Sequence, residues 1–92
     1  YLHMIGAPSH LDLYEHKPEL NRLDGEECPE SLLKGRRFAF IGGKMTLAGT
    51  QWKFRRHGQS GLELSELLPN LATIADDIAM VKTLHTEEIN HA

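Results

Sequence analysis

Cysteine is the scarcest chemistry in these 92 residues: Cys28 is the only one, which excludes an internal disulfide and any cysteine-rich zinc ligation. No stretch reaches the run of about 18 apolar residues that a membrane-crossing helix needs, and no basic segment followed by an apolar leader core is present. Nothing in the sequence is therefore expected to span a bilayer or to direct export; an export signal, if there is one, lies upstream. A surplus of one charge is also missing. Ten Lys and Arg stand against 13 Asp and Glu for a net charge of −3, which leaves no electrostatic footprint for nucleic acid or a membrane surface. Aromatic residues make up 7% of the chain and hydrophobic residues 40%, ordinary for a globular piece. There is no internal repeat and no low-complexity tract.

What the chain does have is concentrated near its start. The apolar opening Tyr1-Leu2-His3-Met4-Ile5 breaks at Gly6-Ala7-Pro8 and is followed by Ser9, His10 and Asp12 within four residues. A short strand that ends in a Gly-Pro break and then offers polar side chains is how open α/β sheets build the edge of a site, because ligands sit beyond the carboxyl ends of the strands.

Here the sequence resembles the bacterial, mostly exported, sulfatase-like proteins catalogued as domain of unknown function 1501, which belong by fold to the alkaline phosphatase/sulfatase superfamily. The resemblance rests on Gly6 to Asp12 with Lys17-Pro18-Glu19-Leu20, on Cys28-Pro29-Glu30-Ser31 and Lys34 to Phe40, and on Trp52-Lys53-Phe54 with His57 to Gly61. It continues through Ser65 to Pro69, Asp76-Asp77, Met80 to Thr86 and Asn90-His91. One departure is Tyr14-Glu15, where the family usually reads Phe-Asp, so an acidic group there is kept with one more methylene of reach. The resemblance implies an α/β fold: a partial alkaline-phosphatase-like three-layer αβα sandwich, with two or three strands and flanking helices. That fold is several times larger than 92 residues, so residues 1–92 are expected to be the N-terminal fragment of a single larger domain, without a complete active site and inactive alone.

The coarse reading along the chain is strand, long connection, helix, strand. The resemblance makes Leu2 to Ile5 the first strand, since short apolar runs are ambiguous by themselves. Pro18 suits the first turn of a helix to about Leu23, stopped by Asp24-Gly25. Pro29 opens a second turn, Glu30 to Lys34, ended by Gly35. Phe38 to Ile41 is a candidate strand closed by Gly42-Gly43, and 42–61 reads as a surface excursion. Ser65 is a good N-cap, and Leu67, Leu71, Ile74 and Ile78 form one stripe on a helix from about Ser65 to Asp77. Pro69 lacks the N–H that would bond back to Ser65, so the opening turn is irregular or the helix begins at Pro69. Ile78 to Leu84 reads as a strand parallel to the first, which brings His85-Thr86 near Ser9 to Asp12.

The chemistry that the resemblance implies is attack on phosphorus or sulfur, assisted by divalent metals and a helix N-terminus that stabilise the reacting ester's negative charge. Asp12, His10 and His91 are the candidate metal ligands, for calcium, zinc or magnesium without distinction. Asp12 and Ser9 can equally serve the turn after Pro8 by bonding its backbone. Thr86 is the one hydroxyl in the place where the superfamily carries its nucleophile, between a strand end and a helix start. It is also a good N-cap, and Glu87-Glu88 behind it suit a helix dipole while repelling an anionic substrate. The sulfatase pattern Cys-x-Pro-x-Arg is absent around Cys28, which reads as a packed small residue. Lys53, Arg55, Arg56 and His57, interleaved with Trp52 and Phe54, either clamp an anionic sugar or ester group or anchor a half-exposed edge through the two aromatics. His3 reads as a core or edge histidine and His16 as a surface one. Gly42-Gly43 and Gly58 to Gly61 are turns rather than a phosphate loop.

Two function classes follow from the resemblance. One is a metal-dependent hydrolase of sulfate or phosphate esters, periplasmic or extracellular, with sulfated or phosphorylated polysaccharide as partner class. The other is a non-catalytic relative that binds carbohydrate or another partner on the same fold.

Overall fold

A computed structural model describes residues 1–6, 8–35 and 43–85. They form a small mixed α/β fragment with a two-stranded antiparallel sheet and short helices, in agreement with the α/β class expected. The chain divides into two compact units, 1–16 with 51–92 and 17–50.

The first unit is organised by a hairpin. Strand β1, Phe54–His57, pairs with β2, Leu62–Ser65, in the register Phe54 with Ser65, Arg55 with Leu64, Arg56 with Glu63 and His57 with Leu62. Glu66 and Lys53 extend the ladder: the Glu66 N–H donates to the Lys53 carbonyl at 2.8 Å, and the Lys53 N–H donates to Glu66 Oε1 at 2.9 Å. The turn between the strands begins at Gly58 with φ +65° and ends at Gly61 with φ +66°, a left-handed geometry that L side chains adopt at a cost. Asp76 holds this turn from outside. Its two carboxylate oxygens accept the Gln59 N–H at 2.9 Å and the Ser60 N–H at 2.8 Å, and these donors hold its carboxyl below the usual aspartate range, Ser60 first and then Gln59.

Around the hairpin lie α1, His10–Leu13, and, after Ser65, the helix Pro69–Ala72, followed by a 3-10 turn over Ala75–Asp77. The core is thin: Leu64 and Ala75 are the buried hydrophobic residues described, with Ser65 the buried polar one. Ser65 is satisfied because its Oγ accepts the Leu67 N–H at 3.3 Å while its carbonyl accepts the Leu68 N–H at 3.0 Å. On the sheet face away from Leu64, which Phe54 and Glu63 share with Ser65, His16 stacks on Phe54, ring centroids 5.0 Å apart and planes 8° from parallel, with its Nδ1 3.8 Å from Glu63 Oε2.

The second unit carries α2, Pro18–Arg22, and α3, Glu30–Leu33, so α4 denotes Pro69–Ala72 in chain order. Pro18 stands in the first turn of α2 and Gly35 follows α3 with φ +79°, as the sequence predicts. Two side chains of this unit clamp a backbone. Asn21 accepts the Thr50 N–H at 3.0 Å and donates to the Thr50 carbonyl at 3.1 Å, while Asp24 Oδ1 accepts the Gly49 N–H at 2.7 Å. A Cβ at Gly49 would meet the Asn21 Cα at 2.7 Å, so glycine is required there by close approach. The half-buried Cys28 donates its N–H to the Met45 carbonyl at 2.9 Å, beside a bridge between Glu27 and Thr46.

Several expected elements differ. Leu2 to Ile5 forms no strand; Leu2 and Ile5 are exposed, and His3 pairs with Tyr1 by ring stacking rather than entering a core. Ile78 to Leu84 forms no strand either, so the parallel crossover between these segments is absent from the described residues. The helix over 65–77 breaks into two short pieces. Pro69 starts α4, and the Thr73 hydroxyl bonds back to the Asn70 carbonyl at 2.7 Å where the helix ends. The excursion read over 42–61 contains β1. The Phe38 to Ile41 strand lies outside the described residues.

Candidate functional site

The break at Gly6, φ +95°, turns the chain into Pro8 and Ser9 and then into α1. Ser9 is the N-cap by position, and its carbonyl accepts the Asp12 N–H at 3.1 Å while its side chain caps nothing. The Tyr14 N–H closes the turn on the His10 carbonyl at 2.8 Å, and the Glu15 N–H reaches the same oxygen at 2.9 Å. This tight end brings Glu15 back toward the residue that began the helix. His10 Nε2 lies 3.6 Å from Glu15 Oε2, with the histidine largely exposed and the glutamate more covered.

The segment after the 3-10 turn completes the site. Met80, Val81, Lys82 and Leu84 line a groove of about 240 Å³ together with His10, Tyr14 and Glu15. An imidazole 3.6 Å from a carboxylate, a phenol and an ammonium thus line one groove with apolar walls. Such a groove can bind an oxyanion through Lys82 and move a proton at the ring nitrogen of His10 that Glu15 leaves open.

The sequence places His85-Thr86 near Ser9 to Asp12 at the ends of two strands; Thr86 lies outside the described residues, and the groove brings His10 instead beside Met80, Val81, Lys82 and Leu84, which are coil. Sequence reasoning missed the pairing of Glu15 with His10 and the entry of Lys82. The departure at Tyr14-Glu15 was the available signal, because the longer acidic side chain is the one that reaches back to His10.

The candidate metal ligands separate. His10 and Asp12 stand at i and i+2 on α1, positions that do not face each other on a helix, so one ion draws on one of them. Among the described residues no group of three or more His, Cys, Asp or Glu side chains is placed to hold a metal ion. His91 and Thr86 lie outside the described residues, as do Glu87 and Glu88. Of the basic run, Phe54 anchors on His16, whereas Arg55 and His57 face a different groove beside α4. No helix among the described residues is long and apolar enough to cross a membrane.

The family model described as Protein of unknown function (DUF1501) matches residues 1–92. No curated protein and no solved structure matches the chain.

Proposed function

This chain belongs to the DUF1501 family, and on that premise we propose that it contributes the N-terminal edge of the active site of a metal-dependent hydrolase of sulfate or phosphate esters. In this reading the fold is the alkaline-phosphatase-like three-layer sandwich and the remainder of the same domain is the chain's first partner. The thinness of the core supports that: apart from Leu64 and Ala75 the described hydrophobic residues are not fully buried, and Leu2, Ile5, Val81 and Leu84 are widely exposed, more than an autonomous domain of this length leaves uncovered.

The observation that carries the reading is the groove that His10, 3.6 Å from Glu15, and Lys82 line together. In this reading Lys82 contacts the ester's oxyanion, and His10, beside Glu15, moves the proton. Asp12, on another side of α1 and outside the lining of that groove, is a hard oxygen ligand suited to the divalent cation of this reading, whose other ligands and whose approach to the ester the remainder of the domain would supply. His91 is the further imidazole ligand and Thr86 the hydroxyl nucleophile of the proposal. Sulfated or phosphorylated polysaccharide outside the cytoplasm is the substrate class that fits it.

Turnover of p-nitrophenyl sulfate and p-nitrophenyl phosphate by the full-length protein tests the proposal. His10→Gln is expected to lower kcat by about 100-fold or more, and Glu15→Gln by about 10-fold with KM little changed. Absence of turnover with both esters favours the non-catalytic carbohydrate- or partner-binding relative instead.

A further inference from the structure

Arg55 is a guanidinium without an ion pair or side-chain hydrogen bond in the fold as described. The hairpin register sets its surroundings. Arg55 stands opposite Leu64 and His57 opposite Leu62, and residues two apart on a strand share a face, so Glu66 continues this face beyond Leu64. The face and α4 enclose a groove of about 430 Å³ whose lining includes Arg55, His57, Leu64, Glu66, Pro69 and Thr73. Leu64, fully buried, is its floor.

The polar groups have defined capacities. The Arg55 guanidinium offers paired N–H donors suited to a carboxylate, sulfate or phosphate. Glu66 Oε1 already accepts the Lys53 N–H, which leaves its other oxygen to accept from ligand hydroxyls. The Thr73 hydroxyl is donated to the Asn70 carbonyl, so toward a ligand it accepts only. Pro69 presents an apolar surface for C–H groups. A simple aliphatic carboxylate supplies nothing for Glu66, and a polyphosphate chain would meet that carboxylate as a repulsive charge.

A ligand with one oxyanion, several hydroxyl donors and a C–H face satisfies Arg55, Glu66, Thr73 and Pro69 together. We propose that this groove binds a sugar acid: a hexuronate, or a hexose bearing one sulfate or phosphate, with the oxyanion on Arg55, hydroxyls on Glu66 and the ring's C–H face on Pro69. The site shares no lining residue with the groove of His10 and stands whether or not the hydrolase reading holds.

Calorimetric titration of the full-length protein tests it, using glucuronate, glucose 6-sulfate, glucose 6-phosphate, glucose and inorganic sulfate as probes. At least one of the three anionic sugars should bind, and which one does identifies the oxyanion. Glucose and sulfate should bind about 10-fold more weakly or less, because each lacks one half of the recognition. Arg55→Gln should weaken the anionic sugar by about 10-fold or more, while Arg56→Gln, on the other face opposite Glu63, leaves it unchanged. Unaltered far-ultraviolet circular dichroism of both variants keeps the comparison to the groove. No binding by any anionic sugar, equal binding by glucose, or equal effects of the two substitutions would overturn the proposal. Ester turnover, read separately, reports on the hydrolase reading alone.

Discussion

Substitution of Gly58 by alanine probes the hairpin and its external clamp together. With φ +65° at this position, an L residue pays a left-handed conformational cost of roughly 1–2 kcal/mol, which corresponds to about a 5- to 30-fold rise in the open population. A second effect adds to it. The new Cβ would lie 2.6 Å from the Asp76 Cγ, so the carboxylate must withdraw from the Gln59 and Ser60 amides it accepts from. Amide hydrogen exchange of the full-length protein separates the two: Gly58→Ala should increase exchange across the β1–β2 ladder and at Gln59 and Ser60. In an Asp76→Ala background the collision is gone, and the same glycine substitution should cost only its conformational part, a non-additivity that a double-mutant cycle measures. Equal costs in both backgrounds would refute the placement of Asp76 against the turn, and no cost in either would refute the left-handed geometry.

The remaining predictions concern other parts of the two units. Leu64→Ala, at a fully buried position, should destabilise the protein by about 2–5 kcal/mol, read from urea unfolding. Gly49→Ala should release the Thr50 amide to exchange, because its Cβ collides with the Asn21 Cα at 2.7 Å, a backbone atom that cannot swing away. Asp76 has a folded pKa lowered by the Ser60 and Gln59 N–H groups, so the clamp is at full strength above the ordinary aspartate pKa. It is lost as pH falls through the lowered folded value, and an acid titration should show the protection of the Gln59 and Ser60 amides, relative to their intrinsic exchange, falling below the ordinary aspartate range, a response that Asp76→Asn abolishes.

How far the sequence foretold these features depended on whether the signal was local. Pro18 and Pro29 opened helices where they stand, and Gly35 closed one, because proline and glycine act through their own backbone. The hairpin was hidden because Phe54-Arg55-Arg56-His57 lacks apolar alternation, although Gly58 and Gly61 bracket its turn and Leu62-Glu63-Leu64-Ser65 does alternate. Ser65 has the chemistry to cap a long helix, but its hydroxyl serves the turn at Leu67, and Pro69 delays the helix as its missing N–H allows. Leu2 to Ile5 and Ile78 to Leu84 are apolar enough for strands, yet a strand exists only with a partner to pair its backbone, and none is described for either. Of the site, His10 and Asp12 were found as residue types, whereas their divergence around α1 and the return of Glu15 to His10 depend on where a four-residue helix ends.

The metal content of the full-length protein tests the hydrolase reading most directly. Elemental analysis and calorimetry should find a bound divalent ion in the wild type and weaker binding in Asp12→Asn, which keeps the carboxylate's shape and loses its charge. Bound metal undiminished in Asp12→Asn would move the ligand role away from Asp12, and a wild type that binds no divalent ion would contradict the hydrolase account.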